Sequence, residues 1–209
     1  MKTINLVVYK PGYGGHLIEF LLSLDPSTMP WVRAGSSIQD VLPSRKDHYS
    51  FKDIVKTHGH WKKHHIQFGT ESSSFTSFVN SNYQIFCVAI HPFEFYRWDL
   101  LDRLKQFNVN YLHLSLSPQR EHIIDSFKKR NNNFPVLRPG EDEEDQQYRK
   151  DFNPFVINFD NFIIGEETFI AEYRRINEHL NLPLHLDDAL EMYRDWYVER
   201  KFTTFQMPQ

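Results

Sequence analysis

Residues 4–24 read INLVVYKPGYGGHLIEFLLSL and encode a strand, a glycine-rich turn and a helix in direct succession. Ile4–Tyr9 is almost continuously apolar, which is typical of a strand covered on both faces of a parallel sheet. Leu17–Leu24 is apolar on most of its faces, which predicts a buried helix. The three glycines between these segments allow a tight turn and a close approach of the backbone to a ligand.

Further strands and helices alternate along the rest of the chain. Four more runs rich in β-branched and aromatic residues predict strands, and they are Asp53–Thr57, Gln84–Ile90, Tyr111–Leu116 and Pro154–Phe159. Two amphipathic stripes near the end predict helices, and they consist of Phe169, Tyr173, Ile176 and Leu180, followed by Leu186, Leu190, Tyr193 and Tyr197. This alternation predicts an α/β fold in which a parallel sheet is flanked by helices.

The length of 209 residues fits one domain that spans the whole of 1–209. Two segments interrupt the strand and helix pattern, and we expect long loops there, at 25–50 and at 131–152. The second of them contains the acidic run Glu141–Asp145, which we interpret as a solvated loop. A metal-binding or partner-binding role is the alternative for that run.

Composition restricts the partners and the compartment. The net charge of −3 argues against a nucleic-acid partner. The single cysteine, Cys87, lies in an apolar run and predicts a buried thiol, which excludes an internal disulfide and fits a reducing compartment. Neither a signal peptide nor an apolar run of about 18 residues occurs, so we expect no membrane association and a cytoplasmic protein, in the host cytoplasm if the chain is viral.

The glycine-rich turn is where we expect an anionic ligand. A helix that begins directly after it presents free N–H groups and the positive end of its dipole, which suit a phosphate or sulfate. His16 would add a donor. No Lys or Ser/Thr follows the last glycine, so the turn is not a Walker A loop, and it does not match the dinucleotide fingerprint. A tight turn without a ligand is the structural alternative.

His58 follows the predicted strand Asp53–Thr57 and is a candidate general base. In a parallel sheet the carboxyl end of that strand faces the same crevice as the glycine-rich turn. Lys56 would neutralise an anionic group there. An ordinary surface or half-buried histidine is one alternative. A metal site is another, disfavoured because no acidic ligand is adjacent and two lysines would repel a cation, and it would comprise His58, His60, His64 and His65.

The order of these segments resembles the sulfotransferase family, which has a P-loop-type fold. Pro11–Leu17 stands where that family has its Pro-Lys-Ser-Gly-Thr-Thr-Trp loop, and Lys56-Thr57-His58 looks like the end of its next strand. Ile90-His91-Pro92 is similar to the family's Arg-x-Pro, and Asn158–Phe162 to its late aromatic–acidic pair. The resemblance implies transfer of a sulfuryl group from 3′-phosphoadenosine-5′-phosphosulfate to a hydroxyl or amine, without a metal.

The resemblance also implies roles for individual residues. The donor would be held by Pro11, Gly12, Tyr13, Gly14, Gly15, His16, Leu17 and Arg97, and the reacting groups served by His58, Lys10 and Lys56. Five positions depart from the family: Gly12 replaces its loop lysine, Gly15 and His16 replace its loop hydroxyls, Ile90 replaces its 3′-phosphate arginine, and Trp98 replaces a serine. Arg97 is the candidate substitute for that arginine.

Those departures support a second hypothesis, that of a catalytically inactive module with the same fold. Such a module would bind partners or assemble into a homo-oligomer or a larger complex, such as a viral particle. The 18 Phe, 10 Tyr and 4 Trp favour it, because aromatic residues often anchor interfaces. A kinase-like nucleotide enzyme is a third hypothesis, and the lack of a Walker lysine argues against it.

Overall fold

The computed structural model of the protein describes residues 1–10, 14–29, 78–97, 100–120 and 140–199. These residues form a sheet of five parallel strands in the order β2-β3-β1-β4-β5. The strands are β1 (Thr3–Val8), β2 (Thr28–Met29), β3 (Ile85–Ile90), β4 (Asn108–Ser115) and β5 (Phe155–Asn158).

The helices that flank the sheet are numbered in chain order. They are α1 (Gly15–Leu22), α2 (Pro92–Arg97), α3 (Leu100–Leu104), α4 (Glu141–Phe152), α5 (Asp160–Ile164), α6 (Glu166–Leu180) and α7 (Leu186–Glu199), and a single 3₁₀ turn covers Pro118–Arg120. The predicted α/β fold with a parallel sheet flanked by helices is therefore confirmed. None of the helices in the described part of the chain is long and apolar enough to cross a membrane.

The centre of the sheet is β1, which pairs with β3 on one side and β4 on the other. Residues 4–8 are all buried, as their apolar run predicted, because neighbouring strands cover both edges and helices cover both faces. Cys87, on β3, is buried too, which confirms the interpretation of its thiol.

Aromatic rings fill the parts of the core that the helices cover. On α4, Tyr148 packs edge-on against Phe95 at a ring distance of 5.1 Å, and in the other helical layer Phe169 stacks on Tyr193 at 4.1 Å. Among the side chains that the structure describes, no aromatic residue is one of the large apolar residues that are exposed. The buried aromatic side chains of this part of the chain therefore stabilise the fold.

The two predicted amphipathic helices are present, with one difference in orientation. Phe169, Tyr173 and Ile176 of α6 are buried as expected. On α7 the buried face is rotated, because Leu186, Leu190 and Tyr197 are only partly buried. The residues that α7 buries are Ala189, Met192, Tyr193 and Trp196. The indole of Trp196 reaches Phe159 at the end of β5, and this contact fixes the rotation.

Two expectations about loops are corrected. In the segment 25–50, Thr28 and Met29 form the short strand β2, because they pair with Ile85 and Phe86 of β3. The predicted strand Asp53–Thr57 lies outside the described residues.

The segment 131–152 is helical from Glu141 onward, so the acidic run Glu141–Asp145 is not a loop. Gly140, with φ +91°, begins this helix, and acidic residues suit the positive end of its dipole. The rings of Tyr148 and Phe152 then pack against Phe95, and these contacts hold α4 on the sheet.

Candidate functional site

The carboxyl ends of the central strands lie at one edge of the sheet, here called the carboxyl edge. Val8 of β1 is in register with Ile90 of β3 and with His113 of β4. From this edge the chain leaves β1 toward β2 on one side and leaves β4 toward β5 on the other. Where the connections from two adjacent parallel strands lead to opposite sides of the sheet, a crevice opens between them. Open α/β sheets bind their ligands in this crevice.

Gly14 and Gly15 place the first turn of α1 at this edge. Gly14 has a left-handed φ of +72° and accepts a hydrogen bond from Leu17 N at 2.9 Å. A Cβ at Gly14 would lie 2.8 Å from Cζ of Phe159, and a Cβ at Gly15 would overlap the ring of Tyr9. Both glycines are therefore required by the packing of the turn, as the structural alternative proposed, and the same packing fixes the amino terminus of α1 beside the crevice.

Lys10 leaves β1 at the same edge and has a carboxylate partner. Its Nζ lies 2.6 Å from Oδ1 of Asp142, in the first turn of α4. The lysine side chain is 21% exposed and the aspartate side chain 65% exposed. An anionic ligand that bound Lys10 would therefore have to displace the carboxylate of Asp142, which is readily solvated once it is released.

His91 is a further residue at this edge, and it was not selected from the sequence. It follows Ile90, is buried, and places Nδ1 3.0 Å from the carbonyl oxygen of Tyr9. Its ring lies 4.6 Å from the Tyr9 ring. Ile90 itself, the last residue of β3, is apolar and completely buried. The histidine beside a proline directly after a strand was the available signal.

A cluster of polar groups joins the ends of β4 and β5. The carboxylate of Asp160 accepts hydrogen bonds from the backbone N of Ser117 at 3.2 Å and from its Oγ at 3.1 Å. Nε of Arg120 lies 3.4 Å from the same carboxylate. The aromatic–acidic pair therefore has two structural roles, since Phe159 packs on Gly14 and Asp160 links the neighbouring strand end. Arg120 is the cation that sequence reasoning missed.

Below the edge, His113 and Asp145 form a buried pair. Nε2 of His113 lies 2.7 Å from Oδ1 of Asp145, which joins β4 to α4. Tyr148, one turn further along α4, donates its hydroxyl to the carbonyl of Leu112 at 3.3 Å. The pair was not predicted, because the acidic run of α4 had the composition of a solvated segment.

The candidate residues chosen from the sequence are only partly brought together. Lys10, Gly14 and Gly15 lie at the carboxyl edge, and Leu17 of α1 is fully buried in the hydrophobic core. His16 lies in the first turn of α1 and Arg97 ends α2, but their side chains are not among those described. The remaining candidates lie outside the described residues, and they are Pro11, Gly12, Tyr13, Lys56 and His58.

Comparisons with known protein families, with curated proteins and with solved structures found no match for this chain. Among the described side chains, no three His, Cys, Asp or Glu residues are grouped so that they would hold a metal ion.

Proposed function

We propose that the carboxyl edge binds a nucleotide that carries phosphate or sulfate groups, and that the protein is sulfotransferase-like. The observation that carries this proposal is the position of the Gly14–Gly15 turn. It follows the central strand of a parallel sheet along the chain and starts a buried helix at the carboxyl edge, where Lys10 also leaves β1. Helix amino termini in this position favour anionic groups because their N–H groups and dipole point at the ligand.

The proposed donor is 3′-phosphoadenosine-5′-phosphosulfate and the acceptor a hydroxyl or amine. His58 removes the proton from the acceptor, whose oxygen or nitrogen attacks the sulfur in line. A bond forms between the acceptor and sulfur while the bond between sulfur and the 5′-phosphate oxygen breaks. The electron pair stays on 3′,5′-bisphosphoadenosine, which leaves. Lys10, with Lys56, stabilises the negative charge that develops on the bridging oxygen.

A second candidate is the inactive module with the same fold. Two observations favour it: Ile90 is buried where the family has an arginine, and Asp142 already holds Lys10. In this case the carboxyl edge would be closed by the ion pair between β1 and α4. The chain would act through partners or self-assembly.

Calorimetric titration of the full chain with 3′,5′-bisphosphoadenosine tests the proposal. Saturable binding is expected, and Lys10→Met should weaken it by about tenfold, the usual effect of a lost charge-assisted contact. Lys105→Met is the matched control, because Lys105 lies just before β4 at the opposite edge and is 76% exposed. No binding at millimolar nucleotide, together with a stable oligomer in light scattering, would support the inactive module instead.

A sulfuryl-transfer assay then separates binding from catalysis. His58→Ala should lower turnover by ~10² or more, the range of a lost general base, and leave nucleotide affinity unchanged. Turnover equal to that of the wild type would remove His58 from the mechanism.

A further inference from the structure

A cleft lined by asparagine side chains lies at the amino ends of the strands, opposite the carboxyl edge. This amide cleft is formed by Thr3, Asn5, Asn108, Asn110 and, from the end of α6, Asn181, and it encloses about 580 Å³. It lies at the amino ends of β3, β1 and β4, away from the glycine-rich turn. Nothing in the proposed nucleotide function uses it, and the inference drawn from it does not rest on that function.

The floor of the cleft is set by strand register. Thr3 is paired with Ile85 on one side and Asn108 on the other, and Asn5 is paired in the same way with Cys87 and Asn110. Side chains two residues apart on a strand point to the same face, so these positions form two adjoining rows on one face. With strands about 4.8 Å apart and residues of one face about 7 Å apart, the floor measures roughly 10 by 7 Å.

One polar side chain in this floor is deeply buried. Asn5 is 1% exposed in a strand whose other inner residues are apolar. Its Oδ1 accepts a hydrogen bond from Nδ2 of Asn110 at 2.8 Å, and its own Nδ2 lies 3.5 Å from Sγ of Cys87, which is a weak acceptor. A buried amide with incomplete hydrogen bonding destabilises a core relative to an apolar residue of similar size. Its evident effect here is to fix the orientation of Asn110.

The remaining polar groups of the cleft are available to a ligand. Within the described ranges, the side chains of Thr3, Asn108 and Asn181 make no hydrogen bond to protein, and Asn110 uses its amide nitrogen only toward Asn5. The turn that presents Asn181 is closed by a backbone hydrogen bond, in which Leu182 N donates to the carbonyl of Asn177 at 2.9 Å. Four neutral groups thus converge on one space.

The chemistry of the lining selects the class of ligand. Each carboxamide offers one donor group and one acceptor, which matches hydroxyl groups that both give and accept hydrogen bonds. No residue that lines the cleft in the described structure is charged, which disfavours phosphates and carboxylates, and none is aromatic, which disfavours a stacked nucleobase. Ile85, Val109 and Leu180 supply apolar surface for C–H groups. We propose that the amide cleft binds a neutral sugar ring.

Nuclear magnetic resonance on the ¹⁵N-labelled full chain tests this. The probes are the methyl glycosides of glucose, galactose, mannose and N-acetylglucosamine, each titrated to about 50 mM, a range that reveals weak binding. At least one glycoside should cause saturable shifts of the side-chain amide signals of Asn108, Asn110 and Asn181. Added 3′,5′-bisphosphoadenosine should leave these shifts unchanged, because its proposed site lies at the other edge.

Asn181→Gly provides the decisive variant, because φ at Asn181 is +52° and glycine tolerates that backbone. It should weaken glycoside binding at least fivefold. Asn153→Gly is the matched control, since Asn153 also ends a helix, with φ +41°, but lies outside the cleft. The proposal is overturned if no glycoside binds, if Asn181→Gly binds as tightly as Asn153→Gly, or if adenine, which has no sugar ring, shifts these amide signals as the glycosides do.

Discussion

Nε2 of His113 lies 2.7 Å from Oδ1 of Asp145, and the two side chains are only 3% and 6% exposed. The bond fastens α4 to the inner strand β4 below the carboxyl edge. A second acid of the same helix, Asp142, holds Lys10, two residues after the end of β1, at the surface. The acidic residues that gave this segment the composition of a loop, Asp142 and Asp145, therefore hold α4 in place.

Loss of the buried carboxylate should destabilise the protein strongly. Asp145→Ala leaves the His113 imidazole buried without its acceptor, and we expect the free energy of unfolding to fall by about 2–4 kcal/mol. Urea unfolding measures it. Glu143→Ala, an exposed acid of the same helix, should change that free energy by less than about 0.5 kcal/mol. Equal effects of the two substitutions would contradict a stabilising role for the pair.

Glu19 on α1 should make stability depend on pH. Burial raises the pKa of its carboxyl well above the usual range. The folded protein thus keeps a proton that the unfolded chain releases, so this contribution to stability is complete below the unfolded pKa and is lost as pH rises toward the folded pKa.

Glu19→Gln keeps the neutral form at every pH. We expect it to match the wild type near pH 4 and to be more stable at pH 7, with a difference that grows as the pH rises between these values. Urea unfolding between these pH values gives the difference. Glu178→Gln, at an exposed position of α6, should show no such dependence. A difference that is constant with pH would disprove the assignment to Glu19.

The turn before α1 should tolerate no side chain. Gly14→Ala introduces a left-handed alanine, which costs about 1–2 kcal/mol, and a Cβ that meets the Phe159 ring at 2.8 Å. We expect a loss of about 2–4 kcal/mol in the free energy of unfolding. Gly140→Ala separates the two causes, because Gly140 is also left-handed but has no neighbouring atom within 4 Å of its Cβ position. It should lose only the backbone contribution, and similar losses at both sites would exclude a packing role for Phe159.

Asp142 should compete with an anionic ligand for Lys10. Exposed ion pairs contribute about 0.2–1 kcal/mol, so Asp142→Asn should raise the affinity for 3′,5′-bisphosphoadenosine about two- to fivefold in a calorimetric titration. Glu143→Gln removes the same charge from the next position of α4 without releasing Lys10, and it should have a smaller effect. Equal gains would assign the change to net charge alone, and no gain in either variant would show that the ligand does not use Lys10.

The strands of the core could be predicted because burial on both faces leaves long apolar runs, as in β1 and β3. The short strand β2 could not, since two residues carry no periodicity and Thr28 and Met29 become a strand only by pairing with β3. In α4 the apolar signal is short, consisting of Tyr148 and Phe152, and a buried acid is indistinguishable in composition from a solvated one.

The site was less predictable than the fold because its groups are distant along the chain. The glycine-rich turn was visible, since it is local. The pairs His113–Asp145 and Ser117–Asp160 join residues 32 and 43 positions apart, and a single sequence contains no sign of such contacts. The same applies to the amide cleft, in which Asn5 and Asn110 meet only through the register of β1 and β4.

The central position of β1 also determines how the native state is reached. Asn5 contacts Cys87, 82 residues later, and Asn110, 105 residues later. The middle of the sheet therefore forms only when residues far apart in the sequence come together. Such high contact order slows folding, because the entropy of loop closure is lost before the contacts form. During synthesis β1 leaves the ribosome long before either neighbour, with both of its hydrogen-bonding edges open. We expect the nascent chain to depend on chaperones until residue 115 has emerged.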